Sequence, residues 1–309
     1  MITTVTLNTS IDKAYRINNV VESGKVIRVS QCNNTAGGKG LNVSRVIYTC
    51  GEDVLSTGFV GGNTGNLVEE LLKKDGINSE FIHVKRETRN CINILDENNV
   101  STEFLEPGEA LEKEEIDKFI KEFDRIIDSS NVITISGSVP KGVPTDIYAT
   151  LIKMIKSKNK KVILDASGDL LKEGIKAIPT MIKPNSEEME HLLGVSINNK
   201  DEVLKSAIKL YESGIKIVVV SLGKEGALLV CDQGIYHGKP PKINAINTVG
   251  CGDSMVAAFA VGLERKYSYK ECLRYAISVS AANAMTLSTG SFRLEEAKDI
   301  YDEVDIIKL

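Results

Sequence analysis

The sequence predicts an α/β protein in which helices cover both faces of a mostly parallel sheet. Two observations lead to this fold class. Near-continuous apolar segments recur between residues 132 and 223, and each ends in a polar or glycine loop. Helical patterns separate these segments, which is the alternation expected of parallel strands buried on both faces. A length of 309 residues suits one α/β domain, so we treat residues 1–309 as a single domain with a small appendage.

The chain begins with an apolar segment, residues 2–7, which predicts a buried strand. Residues 8–12 follow as a polar turn at the carboxyl end of that strand, where open α/β sheets bind their ligands. Asp12 is therefore a candidate ligand-binding residue. An aspartate that only hydrogen-bonds its own turn is an equally good interpretation at this point.

Two segments depart from the βα alternation. Residues 13–35 alternate weakly between polar and apolar, and residues 88–106 have the pattern of a β-hairpin with a polar turn. We expect both segments to form a small β-lid within the same domain. Arg89, at the start of the hairpin, is either a solvated charge on an edge strand or a guanidinium directed at a phosphate.

Two glycine-rich turns each lead into a helix. Gly250, Cys251 and Gly252 precede a helix of small residues, so several N–H groups at its start point outward and create an anion site. Asp253 lies in the first turn, and a base beside a phosphate cradle suggests phosphoryl transfer. The alternative is a tight turn in which Asp253 only caps the helix.

The second such turn, residues 36–40, is not a Walker A loop because the upstream glycine is missing. Asn42 lies on the first turn of the helix that follows, where its amide could bind a hydroxyl. The remaining pattern predicts further helices and strands. Helices are expected at residues 65–74, 112–128, 145–158, 201–213, 252–264 and 269–287, with another opening at residue 186; strands are expected at residues 53–60, 132–140, 161–168, 181–185 and 216–223.

Composition excludes several classes of function. The formal net charge is −4, no basic run with interleaved aromatics stands out, and no apolar segment approaches a membrane span. The six cysteines and three histidines are scattered, which argues against disulfides and a zinc site. We expect a cytoplasmic protein that binds neither nucleic acid nor membranes.

Four motifs together resemble the ribokinase-like (PfkB) carbohydrate kinase family, and the resemblance covers essentially the whole chain. They are Gly-Gly-Lys-Gly-Leu-Asn at 37–42, Lys-Pro-Asn-Ser-Glu-Glu at 183–188, Ser-Leu-Gly-Lys-Glu-Gly at 221–226 and Thr-Val-Gly-Cys-Gly-Asp-Ser at 248–254. The resemblance implies a three-layer α/β/α sandwich with a β-lid. It is closest to the hexose-phosphate branch, which includes tagatose-6-phosphate kinases and 1-phosphofructokinases. It implies ATP- and Mg²⁺-dependent phosphorylation of a ketohexose monophosphate to a bisphosphate.

The same resemblance implies roles for the residues at matching positions. Asp253 would be the base, and the transferred phosphoryl group would be cradled by the N–H groups of Gly250, Cys251 and Gly252. The nucleotide side would consist of Lys183, Asn185, Ser221, Gly223, Gly226 and Thr248, with Asn185 and Glu188 organising Mg²⁺. The sugar side would consist of Asp12, Gly38, Lys39, Asn42 and Asn93. The phosphate already on the substrate would be bound by Arg89 together with Lys25 or Arg28.

The loop at 247–253 departs from the family pattern, since Cys251 stands where alanine is common and Asn247 where aspartate is common. A thiol at a helix N-terminus can have a lowered pKa, which predicts inhibition by thiol reagents and protection by ATP. Within the hexose-phosphate branch the resemblance favours a tagatose-6-phosphate kinase. Three alternatives stay open: a 1-phosphofructokinase, a kinase of an unphosphorylated sugar or nucleoside, and a catalytically silent sugar-phosphate or nucleotide sensor. An exposed edge of the lid is also a candidate homodimer contact.

Overall fold

Strands and helices alternate along most of the chain, and the computed structural model describes residues 1–98 and 100–309. The strands are β1 (Ile2–Thr6), β2 (Ser10–Arg16), β3 (Gln31–Gly37), β4 (Val54–Gly61), β5 (Asn78–Val84), β6 (Arg89–Leu95), β7 (Ser101–Leu105), β8 (Val132–Ser136), β9 (Lys161–Asp165), β10 (Met181–Ile182), β11 (Ile217–Ser221), β12 (Ala227–Cys231), β13 (Gly234–Lys239) and β14 (Asp305–Lys308). The α-helices are α1 (Lys39–Thr49), α2 (Gly62–Lys74), α3 (Lys113–Asp128), α4 (Ile147–Ser157), α5 (Gly168–Gly174), α6 (Ser186–Leu193), α7 (Lys200–Glu212), α8 (Cys251–Glu264), α9 (Tyr269–Ala284) and α10 (Leu294–Glu303).

The larger sheet has the order β14-β13-β12-β11-β10-β9-β8-β1-β4-β5. From β11 to β5 neighbouring strands are parallel, and β12, β13 and β14 add an antiparallel edge. Because parallel strands end at the same edge, the polar residues that follow β1, β9, β10 and β11 meet along one side of the sheet. That side carries the candidate site.

The sheet separates two hydrophobic cores. One core packs α1, α2, α8, α9 and α10 against one face, and the other packs helices α3 to α7 against the opposite face. Alternate strand residues supply the two cores: Ile217 and Val219 belong to the first, Val218 and Val220 to the second. The predicted α/β/α sandwich with a mostly parallel sheet is confirmed.

Helix α8 is the most enclosed of the described helices that bear on the site. Residues 253–263 are all buried, because the helix packs against the sheet, α1 and α9. Small side chains such as Ala257, Ala258 and Ala260 permit this close approach on every side. The start of α8 is therefore held firmly relative to the sheet.

A second sheet, with the order β3-β2-β6-β7, stands apart from the larger one. Its strands come from the two segments in which the sequence loses its βα alternation. Asp12 lies within β2, paired with Thr35 on β3 and Cys91 on β6, rather than in a turn. The turn is shorter than the sequence pattern suggested, because β1 ends at Thr6 and β2 already begins at Ser10.

Other elements differ from the sequence prediction at their ends. Helix α2 begins at Gly62 rather than residue 65, and α9 ends at Ala284 rather than residue 287. The sequence pattern did not indicate β12 to β14. None of the helices in the described ranges is both long and apolar enough to cross a membrane.

Candidate active site

A cavity of about 690 Å³ lies between the carboxyl edge of the larger sheet and one face of the second sheet. Most of the residues that the sequence indicated for ligand binding line it. They are Asp12, Gly38, Lys39, Asn42, Arg89, Asn93, Lys183, Asn185, Glu188, Ser221, Gly250, Gly252 and Asp253. The two halves of the chain thus contribute to one site.

The start of α8 forms one wall of the cavity. Gly250 is the N-cap residue with φ 82°, a left-handed conformation that glycine adopts without strain. A Cβ atom at this position would lie 2.7 Å from Thr289 Cγ2, so a larger residue does not fit. No side chain caps the helix, so the N–H groups of its first turn have no helical acceptor and can bind an anion.

Asp253 lies in this first turn with 6% of its surface exposed. Burial, reinforced by the negative charge of Asp165, raises the pKa of its carboxyl group to about 6. Lys39, the amide of Asn42 and Lys183 act in the opposite direction. Asp253 is therefore ionised at neutral pH, yet its pKa is close enough to neutrality for it to accept a proton efficiently.

The start of α1 meets the start of α8 at this point. Asn42, on the first turn of α1, donates a hydrogen bond of 2.8 Å from Nδ2 to Asp253 Oδ2. Gly38 precedes α1 with φ 103°, and a Cβ atom there would lie 2.8 Å from Thr6 Cγ2. The glycine turn thus lets α1 begin directly over the end of β1, which brings two helix N-termini to one place.

A buried ion pair lies beneath the two helix starts. Lys183 Nζ is 3.3 Å from Asp165 Oδ1, and the exposed fractions of the two side chains are 6% and 2%. Lys39 Nζ is 4.0 Å from Asp165 Oδ2, and this carboxylate raises the pKa of Lys39. A Cβ atom on Gly252 would lie 3.4 Å from Lys183 Nζ, so this ammonium adjoins the start of α8.

Sequence reasoning missed Asp165, although a signal was present. Asp165 ends β9 at the carboxyl edge of the sheet, in the same position that made Asp12 a candidate. Ser10, Leu287 and Thr289 also line the cavity and had no sequence signal. Thr289 is brought there by the loop after α9, whose course depends on tertiary packing.

Asn185 and Glu188 form a capping box at the start of α6. Glu188 N donates to Asn185 Oδ1 (2.8 Å), and Asn185 N donates to Glu188 Oε2 (3.0 Å). Asn185 also forms an isolated parallel bridge with Ser221. A second cavity of about 480 Å³ adjoins the first here, since Asn185 and Ser221 line both and Gly223 lines the second.

The second sheet presents polar side chains to the cavity. Asp12 Oδ1 accepts a hydrogen bond from Ser10 Oγ (2.7 Å), and Asn93 Oδ1 accepts one from Ser101 Oγ (2.8 Å). The guanidinium of Arg89 donates to the Glu106 carbonyl at 2.8 Å and to the Asn8 carbonyl at 3.2 Å. These contacts fix Arg89 at the cavity wall, because two backbone carbonyls hold its guanidinium.

Six of the indicated residues do not line the larger cavity. One of them, Gly223, lines the second cavity, and the other five line neither. Lys25 and Arg28 are exposed between β2 and β3, and Thr248 is exposed before α8. Gly226 packs against β13, where a Cβ atom would lie 1.9 Å from the Gly238 carbonyl oxygen. The fifth is Cys251.

Cys251 does not have the lowered pKa that its position at a helix start suggested. Burial raises the pKa of its thiol, and Sγ lies 3.5 Å from Asn283 Nδ2. Its backbone N–H donates to the Thr248 carbonyl at 3.3 Å. The expectation of a lowered thiol pKa is therefore wrong, because desolvation outweighs the hydrogen bonds from Asn283 and Ser280 that favour the thiolate.

Among residues 1–98 and 100–309, no group of three or more histidine, cysteine, aspartate or glutamate side chains is placed to hold a metal ion. Asn185 and Glu188, whose side chains carry oxygen atoms, nevertheless line the cavity together with Lys39 and Lys183. This arrangement suits a ligand that carries phosphates and its own cation.

Known proteins resemble this chain over its full length. A tagatose-6-phosphate kinase from Staphylococcus epidermidis (strain RP62A) is 39% identical over 312 residues, which cover 100% of each chain. The crystal structure of phosphofructokinase-2 from Escherichia coli in complex with potassium is 30% identical, with a TM-score of 0.93 and 98% of each chain covered. A "possible 1-phosphofructokinase" from Thermotoga maritima is 26% identical, with a TM-score of 0.91 and 100% and 99% of the two chains covered.

The family profile described as pfkB family carbohydrate kinase matches residues 5–296. This range contains the glycine turn before α1, the capping box of α6 and the start of α8. The resemblance drawn from the four motifs is thus confirmed, and the chain belongs to the pfkB family of carbohydrate kinases.

Proposed function

We propose that this chain transfers the γ-phosphoryl group of ATP to a free hydroxyl of a ketohexose monophosphate, with tagatose 6-phosphate as its preferred acceptor. The observation that carries this proposal is the placement of Asp253. It is a buried carboxylate, ionised at neutral pH, in the first turn of a helix whose N–H groups open into the cavity. The choice of acceptor rests on the 39% identity to a tagatose-6-phosphate kinase.

In this proposal Asp253 accepts the proton of the attacking hydroxyl. The N–H groups of Gly250 and Gly252 and the ammonium of Lys183 stabilise the charge on the transferred phosphoryl group. The Cys251 N–H contributes less than its position suggested, because the Thr248 carbonyl already accepts from it. Since these donors are fixed before the substrate binds, little reorganisation accompanies the transfer.

The nucleotide binds, in this proposal, where the two cavities meet. Ser221 lines both cavities, Gly223 lines the smaller one, and Lys183 lines the larger one. Thr248 and Gly226 contribute through the loops that carry them rather than by direct lining. Two cavities that share Asn185 and Ser221 offer room for a phosphate chain in one and a base and ribose in the other.

The residues beside the junction fit Mg²⁺ through Asn185 and Glu188. Both supply the oxygen ligands that Mg²⁺ prefers, and the cap uses Oε2 of Glu188, which leaves Oε1 to face a ligand. Because Asn185 and Glu188 supply only one carboxylate between them, a bound Mg²⁺ would keep waters and phosphate oxygens as its further ligands. The chemistry it supplies is neutralisation of charge on the nucleotide phosphates.

The sugar phosphate binds, in this proposal, between α1 and the second sheet. Asp12, Asn42 and Asn93 face the cavity and suit sugar hydroxyls, with Lys39 and the Gly38 turn beside them. Arg89 binds the phosphate already on the sugar, since it is a fixed cation at the cavity wall. The second sheet then acts as a lid that keeps water from competing with the hydroxyl.

Lys25 and Arg28 lie outside the cavity of their own chain and reach a substrate phosphate only if the lid closes or a second chain supplies them. We propose a homodimer through the second sheet. Phe104 and Leu105 on β7 and Val26 between β2 and β3 are exposed apolar residues there, as an interface requires. Sedimentation of the wild type and of Phe104→Glu tests this, and a monomeric wild type contradicts it.

The decisive experiment compares kcat/KM, at saturating Mg·ATP, for tagatose 6-phosphate, fructose 1-phosphate, fructose 6-phosphate and the unphosphorylated sugars. We expect tagatose 6-phosphate to be the best substrate. Preference for fructose 1-phosphate would assign a 1-phosphofructokinase instead, and preference for a free sugar would refute the role of Arg89. Absence of turnover with every acceptor, despite binding of sugar phosphate, would indicate a sensor.

A further inference from the structure

Arg45 connects the end of β3 to the proposed catalytic base without lining the cavity itself. On α1, its Nη1 donates to the Ala36 carbonyl at 2.5 Å and its Nη2 donates to Asn42 Oδ1 at 2.5 Å. Asn42 in turn donates from Nδ2 to Asp253 Oδ2 at 2.8 Å. A continuous chain of hydrogen bonds therefore runs from the backbone of β3 to Asp253.

The partners of Asn42 determine which way its amide faces. A guanidinium can only donate hydrogen bonds, whereas an ionised carboxylate can only accept them. With Oδ1 toward Arg45 and Nδ2 toward Asp253, both contacts are satisfied. The reversed amide would place an NH₂ group against the guanidinium and an oxygen against the carboxylate, so Arg45 excludes that orientation.

We propose that Arg45 is a positioning residue for the transfer reaction: it acts through Asn42 to hold the Asp253 carboxylate in one orientation, with its second oxygen directed to the acceptor hydroxyl. This inference rests on the proposed function. A side chain that contributes in this way should affect turnover more than substrate binding, because misplacement of a reacting group by about 1 Å can cost about 100-fold in rate.

Charge supports the same inference. Asp253 faces Asp165 at the end of β9, Lys39 on α1 and Lys183 after β10. Arg45 faces Asp253 together with Asp12 on β2 and Asp75 after α2. Burial lowers the pKa of Arg45, but a guanidinium keeps its charge at neutral pH. Its loss removes a positive charge near Asp253 and the partner that fixes the Asn42 amide, and both the lost charge and a weaker hydrogen bond from Asn42 raise the pKa of Asp253.

The test uses Arg45→Met, Arg45→Lys and a matched control, Arg274→Met. Arg274 likewise makes two hydrogen bonds, here to the backbone carbonyls of Tyr301 and Val304, but it lies outside the cavity wall. For each variant we would measure the melting temperature, kcat, KM for both substrates and the pH profile of kcat/KM. These readouts separate loss of stability from loss of positioning.

We expect Arg45→Met to lower kcat by about 10- to 100-fold and to move the acid limb of the profile upward by about one pH unit. KM for ATP should stay near the wild-type value. Arg45→Lys keeps the positive charge but not the two-pronged guanidinium. Its acid limb should therefore stay near the wild-type position, whereas its kcat should fall between those of the wild type and Arg45→Met. Arg274→Met should lower the melting temperature without moving the acid limb. If Arg45→Met, like Arg274→Met, lowered the melting temperature without moving the acid limb, the proposal would be overturned.

A double-variant comparison covers the case in which Arg45→Met does not fold. If Arg45 acts through Asn42, Arg45→Lys should lower kcat in the wild-type background and have no further effect in Asn42→Ala. Equal losses in both backgrounds would overturn the proposal. These results are distinct from failure of the proposed function: a wild-type chain without turnover on any sugar phosphate would overturn both, whereas wild-type turnover with additive losses would overturn only the role of Arg45.

Discussion

The substitution Gly252→Ala should leave the fold of the α8 start intact while it disturbs the proposed binding of the transferred phosphoryl group there. Gly252 is part of the helix and is not among the residues with positive φ. An added Cβ atom would meet Lys183 Nζ at 3.4 Å and Cε at 3.7 Å, which are ordinary contacts. Alanine favours a helix by about 0.5–1 kcal/mol relative to glycine. We therefore expect an unchanged or slightly higher melting temperature.

The same methyl group would occupy the space between the helix start and Lys183, where the proposal places the transferred phosphoryl group. An oxygen bound to the Gly252 N–H lies about 2.9 Å from the nitrogen, whereas it approaches a methyl carbon no closer than about 3.5 Å. Displacement of the phosphoryl group by up to about 1 Å should lower kcat by about 100-fold. Binding of the sugar phosphate should change little.

The assay couples ADP formation to NADH oxidation, alongside thermal unfolding of each variant. Gly250→Ala is the contrasting variant, since Gly250 has φ 82° and a Cβ atom would lie 2.7 Å from Thr289 Cγ2. It should lose about 1–2 kcal/mol of stability through left-handed strain. Gly252→Ala with wild-type turnover would show that the start of α8 does not receive the phosphoryl group.

Three further predictions concern single side chains. Asp253→Asn should lower kcat by about 10²–10⁴-fold, and wild-type kcat/KM should fall as the pH drops below about 6, where Asp253 takes up a proton. Because the pKa of Asp253 is raised from its ordinary 3.8, its contribution to stability is present below pH 3.8 and is lost as the pH rises through 6. Asp253→Asn should thus raise the free energy of unfolding at pH 8 by on the order of 2–3 kcal/mol; denaturant unfolding at pH 4 and 8 that shows no such difference would contradict this. Arg89→Ala should weaken binding of the sugar phosphate by at least about tenfold while ATP binding is kept, and calorimetric titrations that show equal losses for both ligands would argue against its assignment. Iodoacetamide should alkylate exposed Cys32 well before Cys251, whose half-buried thiol has a raised pKa; peptide mass mapping that finds Cys251 modified first would refute the effect of burial.

Local turn chemistry explains why the start of α8 could be predicted. Glycines flanking one small residue, followed by an acidic residue and a run of small apolar residues, specify a helix start with an acidic first turn. The parallel strands were equally evident from their apolar runs. Asp253, Gly250 and Gly252 accordingly line the cavity as indicated.

Features that depend on tertiary contacts could not be predicted in the same way. In the sequence, Arg45 looks like any charged residue on an amphipathic helix. Its proposed positioning role depends on the packing of α1 against α8, which the sequence pattern does not show. The edge strand β14 pairs with β13 across about 70 positions of the sequence, for which a local pattern gives no partner. Lys25 and Arg28 were indicated by the family resemblance and by their charge, and neither determines the direction of an exposed side chain.

The contrast between α8 and the second sheet bears on how this enzyme can change during evolution. Substitutions in residues 253–263 meet packed neighbours on all sides, so most of them should be lost to selection. The second sheet has many exposed or half-buried positions that contribute little to either core. We therefore expect a saturation library to tolerate changes mainly in β2, β6 and β7, and new acceptor preferences to arise there while the phosphate-transfer apparatus is retained.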